Sequence, residues 1–214
     1  MGTRSLTIVV KNQEVKIAKY SQFDGYPSYL GNKIIEAIKA IGLDRVREIV
    51  ERVKTLTQEE IEHINSFNKI VELKKNGYTT DVPEWQVKFP WASRECNGAE
   101  LLHYANKTED NLSVMFQEKF AADSLFCEWC YVIDLDSNAL EVFRGFNTKP
   151  LNPEDRFFYL QDNQDTSLRY YPVKFLTSYS LMNLPDDISH LNDAELDEEI
   201  PEIFPPSQNL GIIR

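Results

Sequence analysis

The chain has 214 residues, 42% of them hydrophobic and 12% aromatic, and carries a net charge of −11. That length suits one substantial core, and the composition excludes a collagen-like or wholly disordered chain. No run of eighteen apolar residues occurs, no apolar signal segment opens the chain, and its three cysteines argue against a disulfide framework, so the expected location is cytoplasmic with no membrane span.

Ser5 to Val10 and Val15 to Tyr20 read as two strands, joined by a turn at Lys11–Glu14. The stretch Gln22-Phe23-Asp24-Gly25-Tyr26-Pro27-Ser28-Tyr29-Leu30-Gly31 follows, dense in aromatic and turn-forming residues. Beyond it Leu30, Ile34, Ile35, Ile38 and Ile41 recur at helical spacing, and Gly42 ends that helix. Asp44 can cap a second helix with Val46, Ile49, Val50 and Val53 on its buried stripe. Thr57-Gln58-Glu59-Glu60 has the form of a capping box and opens a third, which carries Ile61, Ile64 and Val71 and stops at Asn76-Gly77.

Tyr78 to Trp91 reads as a packed loop or short edge strands, Gly98 to Asn106 as a short helix, and Leu112 to Phe120 is ambiguous. Trp129 to Leu135 and Ala139 to Phe143, joined by Asp136-Ser137-Asn138, form the clearest hairpin. Phe157–Leu160 and Arg169–Leu176 are two further strand candidates, the second placed at an edge by Pro172. Strands, then helices, then strands predict an α+β fold: a mainly antiparallel sheet built from an N-terminal and a C-terminal hairpin group, with about three helices over 29–76 packed on it. Residues 1–184 form the expected domain.

Residues 185–214 form an acidic, proline-containing tail, of which 185–206 are expected to be exposed and loosely ordered, with an apolar tip at Leu210–Ile213 that can dock. The tail holds eight acidic residues and one basic, giving −7, and the other residues hold 26 and 22, giving −4. Phosphate repulsion therefore disfavours nucleic acid as a partner of the whole molecule, while a local basic patch stays permitted.

The stretch around Asp24 carries the candidate site. Asp24-Gly25 favours a tight turn, Pro27 biases Tyr26 to an extended conformation, and Ser28 can cap the first helix. The N–H groups of Tyr29, Leu30 and Gly31 would then point out of a helix N-terminus, where an anion is favoured, and Gly31 would let a ligand approach the backbone. Thr3, Arg4 and Ser5, if they lie beside it, add two hydroxyls and a guanidinium, with Tyr26 or Tyr29 available to stack. The predicted ligand-binding set is thus Thr3, Arg4, Ser5, Asp24, Tyr26, Ser28, Tyr29 and Gly31, for a nucleotide or other phosphate-bearing small molecule. The competing reading is that Asp24 caps the helix while Phe23, Tyr26 and Tyr29 fill core.

Other constellations read as structure. Cys127-Glu128-Trp129-Cys130 lacks the second cysteine pair of a zinc ribbon and opens a strand rather than a helix, so no metal is expected. Asp134, Asp136 and Glu141 could hold a divalent cation or exchange protons, but read first as the solvated face of a hairpin. His63, His103 and His190 show no spacing to a nucleophile, no nucleotide-loop or zinc-protease motif is present, and nothing names a cofactor.

Gly2-Thr3-Arg4-Ser5-Leu6-Thr7, the Gln22–Ser28 stretch with Gly31, and the Tyr131–Arg144 segment resemble an uncharacterised family of small bacterial and phage proteins with a GTRSLT-like strand and an FDGYPS-like turn. The resemblance spans about forty-five residues and implies no activity; a phage-borne member would imply a role in phage–host conflict. The layout is also loosely similar to N-terminal-nucleophile hydrolases, although removal of Met1 would leave Gly2, which offers no nucleophile. Three functions follow as expectations: a protein binding a small anionic molecule, an inhibitor or adaptor whose acidic tail engages a basic protein surface, and a hydrolase using Asp24 with Thr3 or Ser5.

Overall fold

The computed structural model describes residues 2–163 and 170–194. The chain is α+β. Strands β1 (Ser5–Lys11) and β2 (Glu14–Ser21) pair antiparallel, and their turn holds Asn12 and Gln13 at positive φ. That strained pair is stabilised from outside. Both backbone N–H groups donate to the Asp136 carboxylate at 2.8 Å.

One π-type turn, Pro27–Gly31, leads into α1 (Asn32–Ile41), and Gly42 at φ 86° passes the chain to α2 (Leu43–Ile49). After β3 (Val53–Thr55), α3 (Gln58–Ser66) starts at the expected capping box of Thr57 and Glu60. It does not run to Asn76. The chain leaves the helix at Phe67 and forms a hairpin of β4 (Ile70–Lys75) and β5 (Tyr78–Pro83). Asn76 and Gly77, both at positive φ, form its two-residue turn, a strong local hairpin signal that the helical reading of Val71 overlooked.

Helices α4 (Glu84–Lys88) and α5 (Gly98–Lys107) follow, the latter with a second capping box from Asn97 and Glu100. Then come β6 (Leu112–Val114), β7 (Trp129–Asp134), β8 (Ala139–Arg144) and β9 (Lys174–Ser180). The main sheet has the order β2-β1-β7-β8-β9. It is mixed, because β1 and β7 run parallel at its centre while its other pairs are antiparallel. The N-terminal and C-terminal hairpins thus share one sheet, as expected, but five α-helices are described rather than three. The expected strand at Phe157–Leu160 is instead part of a 3-10 turn, Phe158–Asn163, and the strand expected over 169–176 begins only at Lys174, after Pro172.

The sheet is covered on both faces. Val9, Ile17, Tyr131, Ile133, Leu140 and Val142 join the helices in one core cluster. Leu6, Ile8, Cys130, Val132 and Phe143 face the opposite way, under Phe157, Leu160 and Val173. No described helix is long and apolar enough to cross a membrane.

The composition assigns 185–194 to the tail, yet these residues lie on the body. Ile188 and Leu191 are buried in the helix-side core, Asn32 Oδ1 accepts the Ile188 N–H at 2.9 Å, and Lys39 reaches the Pro185 carbonyl. Two well-spaced apolar residues suffice to dock a short turn among acids. Residues 195–214, with the Leu210–Ile213 tip, lie outside the described residues.

Candidate functional site

The two stretches expected to converge do so. The Gly25 N–H donates to the Thr3 carbonyl at 2.9 Å, and Asp24, exposed and at φ 53°, makes the turn beside it. Gly25 lies flat on Ser5: a Cβ there would stand 2.5 Å from Ser5 Cβ. The Ser5 hydroxyl is therefore sealed, with no exposure, and cannot reach a solute as a nucleophile. The Tyr131 hydroxyl donates to the Gly25 carbonyl at 2.9 Å and pins the turn to the sheet.

The helix start does not offer the expected amides. Tyr29, Leu30 and Gly31 all donate to the Tyr26 carbonyl, at 3.1, 3.0 and 3.5 Å. Ser28 does not cap the turn with its side chain. Its N–H donates to Asn192 Oδ1 at 3.0 Å, and its hydroxyl accepts from Asn192 Nδ2 at 2.8 Å. Gly31 admits the protein rather than a ligand, since a Cβ there would stand 2.7 Å from Ile188 Cδ1. Tyr26 and Tyr29 pack partly buried against the core, and Lys33 bonds the Tyr29 hydroxyl at 2.7 Å. Of the expected anion site, the helix half is thus closed by internal partners.

Arg4 tells a different story. Its guanidinium lies 4.5 Å from the centre of the Phe126 ring. In the sheet, Ser5 is in register with Trp129, and Trp129 with Arg144. Arg144 stacks at 4.3 Å on Trp129 and 5.5 Å on Phe146. At the neighbouring strand end, the Gln22 N–H donates to the carbonyl of exposed Arg94. Burial raises the pKa of the nearby Tyr20 phenol, while the guanidiniums of Arg4 and Arg94 pull it back.

Arginines divide by position. Arg45, Arg47, Arg52 and Arg156 all form ion pairs. Arg4, Arg94 and Arg144, at one end of the sheet, have no hydrogen bond or ion pair on their guanidinium groups among the described residues. Exposed Phe23, Phe126 and Phe146 lie at the same end, at 50%, 44% and 40% accessibility. Acids lie here too, exposed Asp24 in the turn and exposed Glu95 next to Arg94, and Glu128 accepts the Arg4 N–H at 3.3 Å and acts on Arg144, whose pKa burial lowers and this carboxylate raises. Arg94, Arg144 and Phe126 escape sequence reading because strand register and a distant loop bring them together.

The remaining constellations are structural. Cys96, Cys127 and Cys130 are free, buried thiols. Burial pushes Cys96 up to about 12 and raises the other two well above the ordinary range. A thiol-reactive disulfide reagent is accordingly expected to label none of them in the folded protein and three after unfolding; prompt labelling at neutral pH would contradict this burial. Asp134 and Glu141 are not solvated, as the hairpin pattern suggested. They are buried and share the Arg156 guanidinium. No group of three metal-ligating side chains occurs among the described residues.

A cleft of about 630 Å³ runs between α5, α4 and the β4–β5 hairpin, but Lys75 and Lys107 on its walls are offset by Glu95 and Glu100. It shows no excess of one charge. No protein-family model, no curated protein and no solved structure matches the chain.

Proposed function

We propose that the chain is a binding protein for a small phosphate-bearing molecule, a nucleotide above all, held at the sheet end by Arg4, Arg94 and Arg144. One observation carries the reading: in a chain of net charge −11, the three arginines that form no ion pair among the described residues lie at one end of the sheet, where Phe23, Phe126 and Phe146 are exposed. Guanidinium is the side chain best suited to bidentate phosphate contact, and stacking on a ring holds its plane without using its donors. A base can then lie on Phe126 or Phe146. Thr3 and Asp24 border the site through the turn at Gly25.

Thermal denaturation with a panel of nucleotides, cyclic nucleotides and sugar phosphates tests the proposal. A ligand at 100-fold excess over Kd stabilises by about 2.7 kcal/mol, an upward shift of roughly 5–10 °C for a chain of this size. Arg94→Ala, which leaves the Gln22–Arg94 backbone bond in place, is expected to shrink that shift. A panel that produces no shift at all would sink the proposal.

A further inference from the structure

The spacing of the three arginines narrows the ligand. Arg4 immediately precedes Ser5 on β1, and Arg144 stands in register with Trp129, one strand beyond. With neighbouring strands about 4.8 Å apart, their backbones are separated by about 10 Å. Arg94 is tied to Gln22 just past the end of β2, which adds a further strand spacing on the other side. The backbones of the three arginines therefore follow one another across the end of the sheet, over β2, β1, β7 and β8. A single phosphate can occupy one station of such a row but not all three.

Two of the three guanidiniums lie over rings. Phe126 lies under Arg4, Trp129 and Phe146 lie against Arg144, and Phe23 packs beside Gly2 at the β2 end. Arg144 stacks on Trp129 of the helix-side core, whereas Arg4 points to the face opposite Ser5, so the row crosses the sheet end rather than lying on one face. Cations beside the exposed rings of Phe23, Phe126 and Phe146 suit a polyanion whose planar groups are free to turn outward.

Resting on the phosphate-binding reading above, we infer that the ligand of this site is a short single-stranded oligonucleotide, draped across the sheet end with its phosphates on Arg4, Arg94 and Arg144. The acidic balance of the whole chain opposes any nucleic acid at long range, so the contact is local and salt-sensitive. Three phosphate contacts on a single strand give a slope of about −2 in log K against log salt. A duplex hides its base faces and fits the row poorly. Glu128, within the row, repels phosphate, and Glu128→Gln is expected to tighten binding a few-fold.

Fluorescence anisotropy with labelled twelve-residue oligothymidylate tests this, alongside ATP and a twelve-base-pair duplex as competitors. Expected are binding to the single strand at least tenfold tighter than to ATP, a weaker duplex, the salt slope above, and a loss of tenfold or more in Arg4→Ala and in Arg144→Ala. Arg144 also covers Trp129, so exposed Arg94→Ala supplies the variant that leaves the fold alone, with an expected several-fold loss. Melting shifts with ATP but no tighter binding of the oligonucleotide would overturn this inference and leave the phosphate-binding reading standing. No response to either would remove both. Equal affinity for duplex and single strand, or unchanged affinity in all three arginine variants, would also overturn it.

Discussion

Arg156→Ala is expected to cost about 3–5 kcal/mol of folding stability, read as a lower urea midpoint at unchanged slope. Arg156 reaches across to the sheet from the segment after β8, donating to Glu141 at 2.6 and 3.0 Å and to Asp134 at 2.5 Å. Both carboxylates are nearly sealed, at 1% and 4% exposure. Two buried acids that lose a shared guanidinium must carry their desolvation cost with fewer partners. Restoring the charge with Arg156→Lys returns only part of the stability, because an ammonium cannot bridge both carboxylates in the same plane.

The effect has a pH signature. Burial alone would lift the Asp134 carboxyl, but the Ser137 N–H and Arg156 outweigh it and hold the group below the usual carboxylate range. A carboxyl depressed on folding stabilises the fold above its unfolded pKa of about 3.9, and that contribution disappears as pH falls through the lower folded value. In Arg156→Ala the lowering supplied by Arg156 is lost, so the folded pKa of Asp134 rises and the folded state takes up its proton at higher pH than in the parent protein. The deficit against the parent protein is therefore largest near neutrality and shrinks as pH approaches 4. A loss below about 1 kcal/mol, or one that is flat between pH 7 and 4, would show that the triad does not hold this segment.

What could be read from the sequence was local. The capping box at Thr57, the helix of Ile34 to Ile41 and the hairpin of Tyr131 to Phe143 each rest on contacts within about ten residues, and each forms where expected. The parallel pairing of β1 with β7 joins residues more than a hundred positions apart, and nothing in either strand's alternation announces it. Asp134 and Glu141 show how this propagates. Their alternation marks one face of a hairpin, but whether that face meets water depends on Arg156, which arrives from a separate segment.

The candidate site follows the same division. Asp24-Gly25 was legible as a turn and does bring Thr3 alongside, because a tight turn is set by its own residues. The anion-binding helix start was not realised, since Tyr26 and Asn192 supply acceptors that the sequence near Pro27 could not reveal. Arg4 keeps its place for a reason of another kind. The sequence suggests it as a neighbour of that helix, whereas in the fold it lies at the end of the sheet that also carries Arg94 and Arg144.

Ile188→Ala is expected to destabilise the fold by about 2–5 kcal/mol, the range for deleting a fully buried aliphatic side chain. Ile188 has no exposure, and its Cδ1 occupies the space over Gly31, beside Tyr131. Gly31→Ala alone should cost about 1–3 kcal/mol, because its Cβ would drive into Ile188. The two changes are not independent. Shortening residue 188 opens the volume that a Cβ at 31 requires, so the double variant should lose clearly less than the sum of the singles, by about 0.5–3 kcal/mol. A residue of a loose acidic tail would instead give a change within about 0.5 kcal/mol and no coupling to Gly31. The coupling ties residues 185–194 to the Pro27–Gly31 turn that leads into α1. Tyr131, whose ring borders Gly31, also donates to the Gly25 carbonyl, so the Gly31–Ile188 contact abuts the side chain that pins the Asp24 turn.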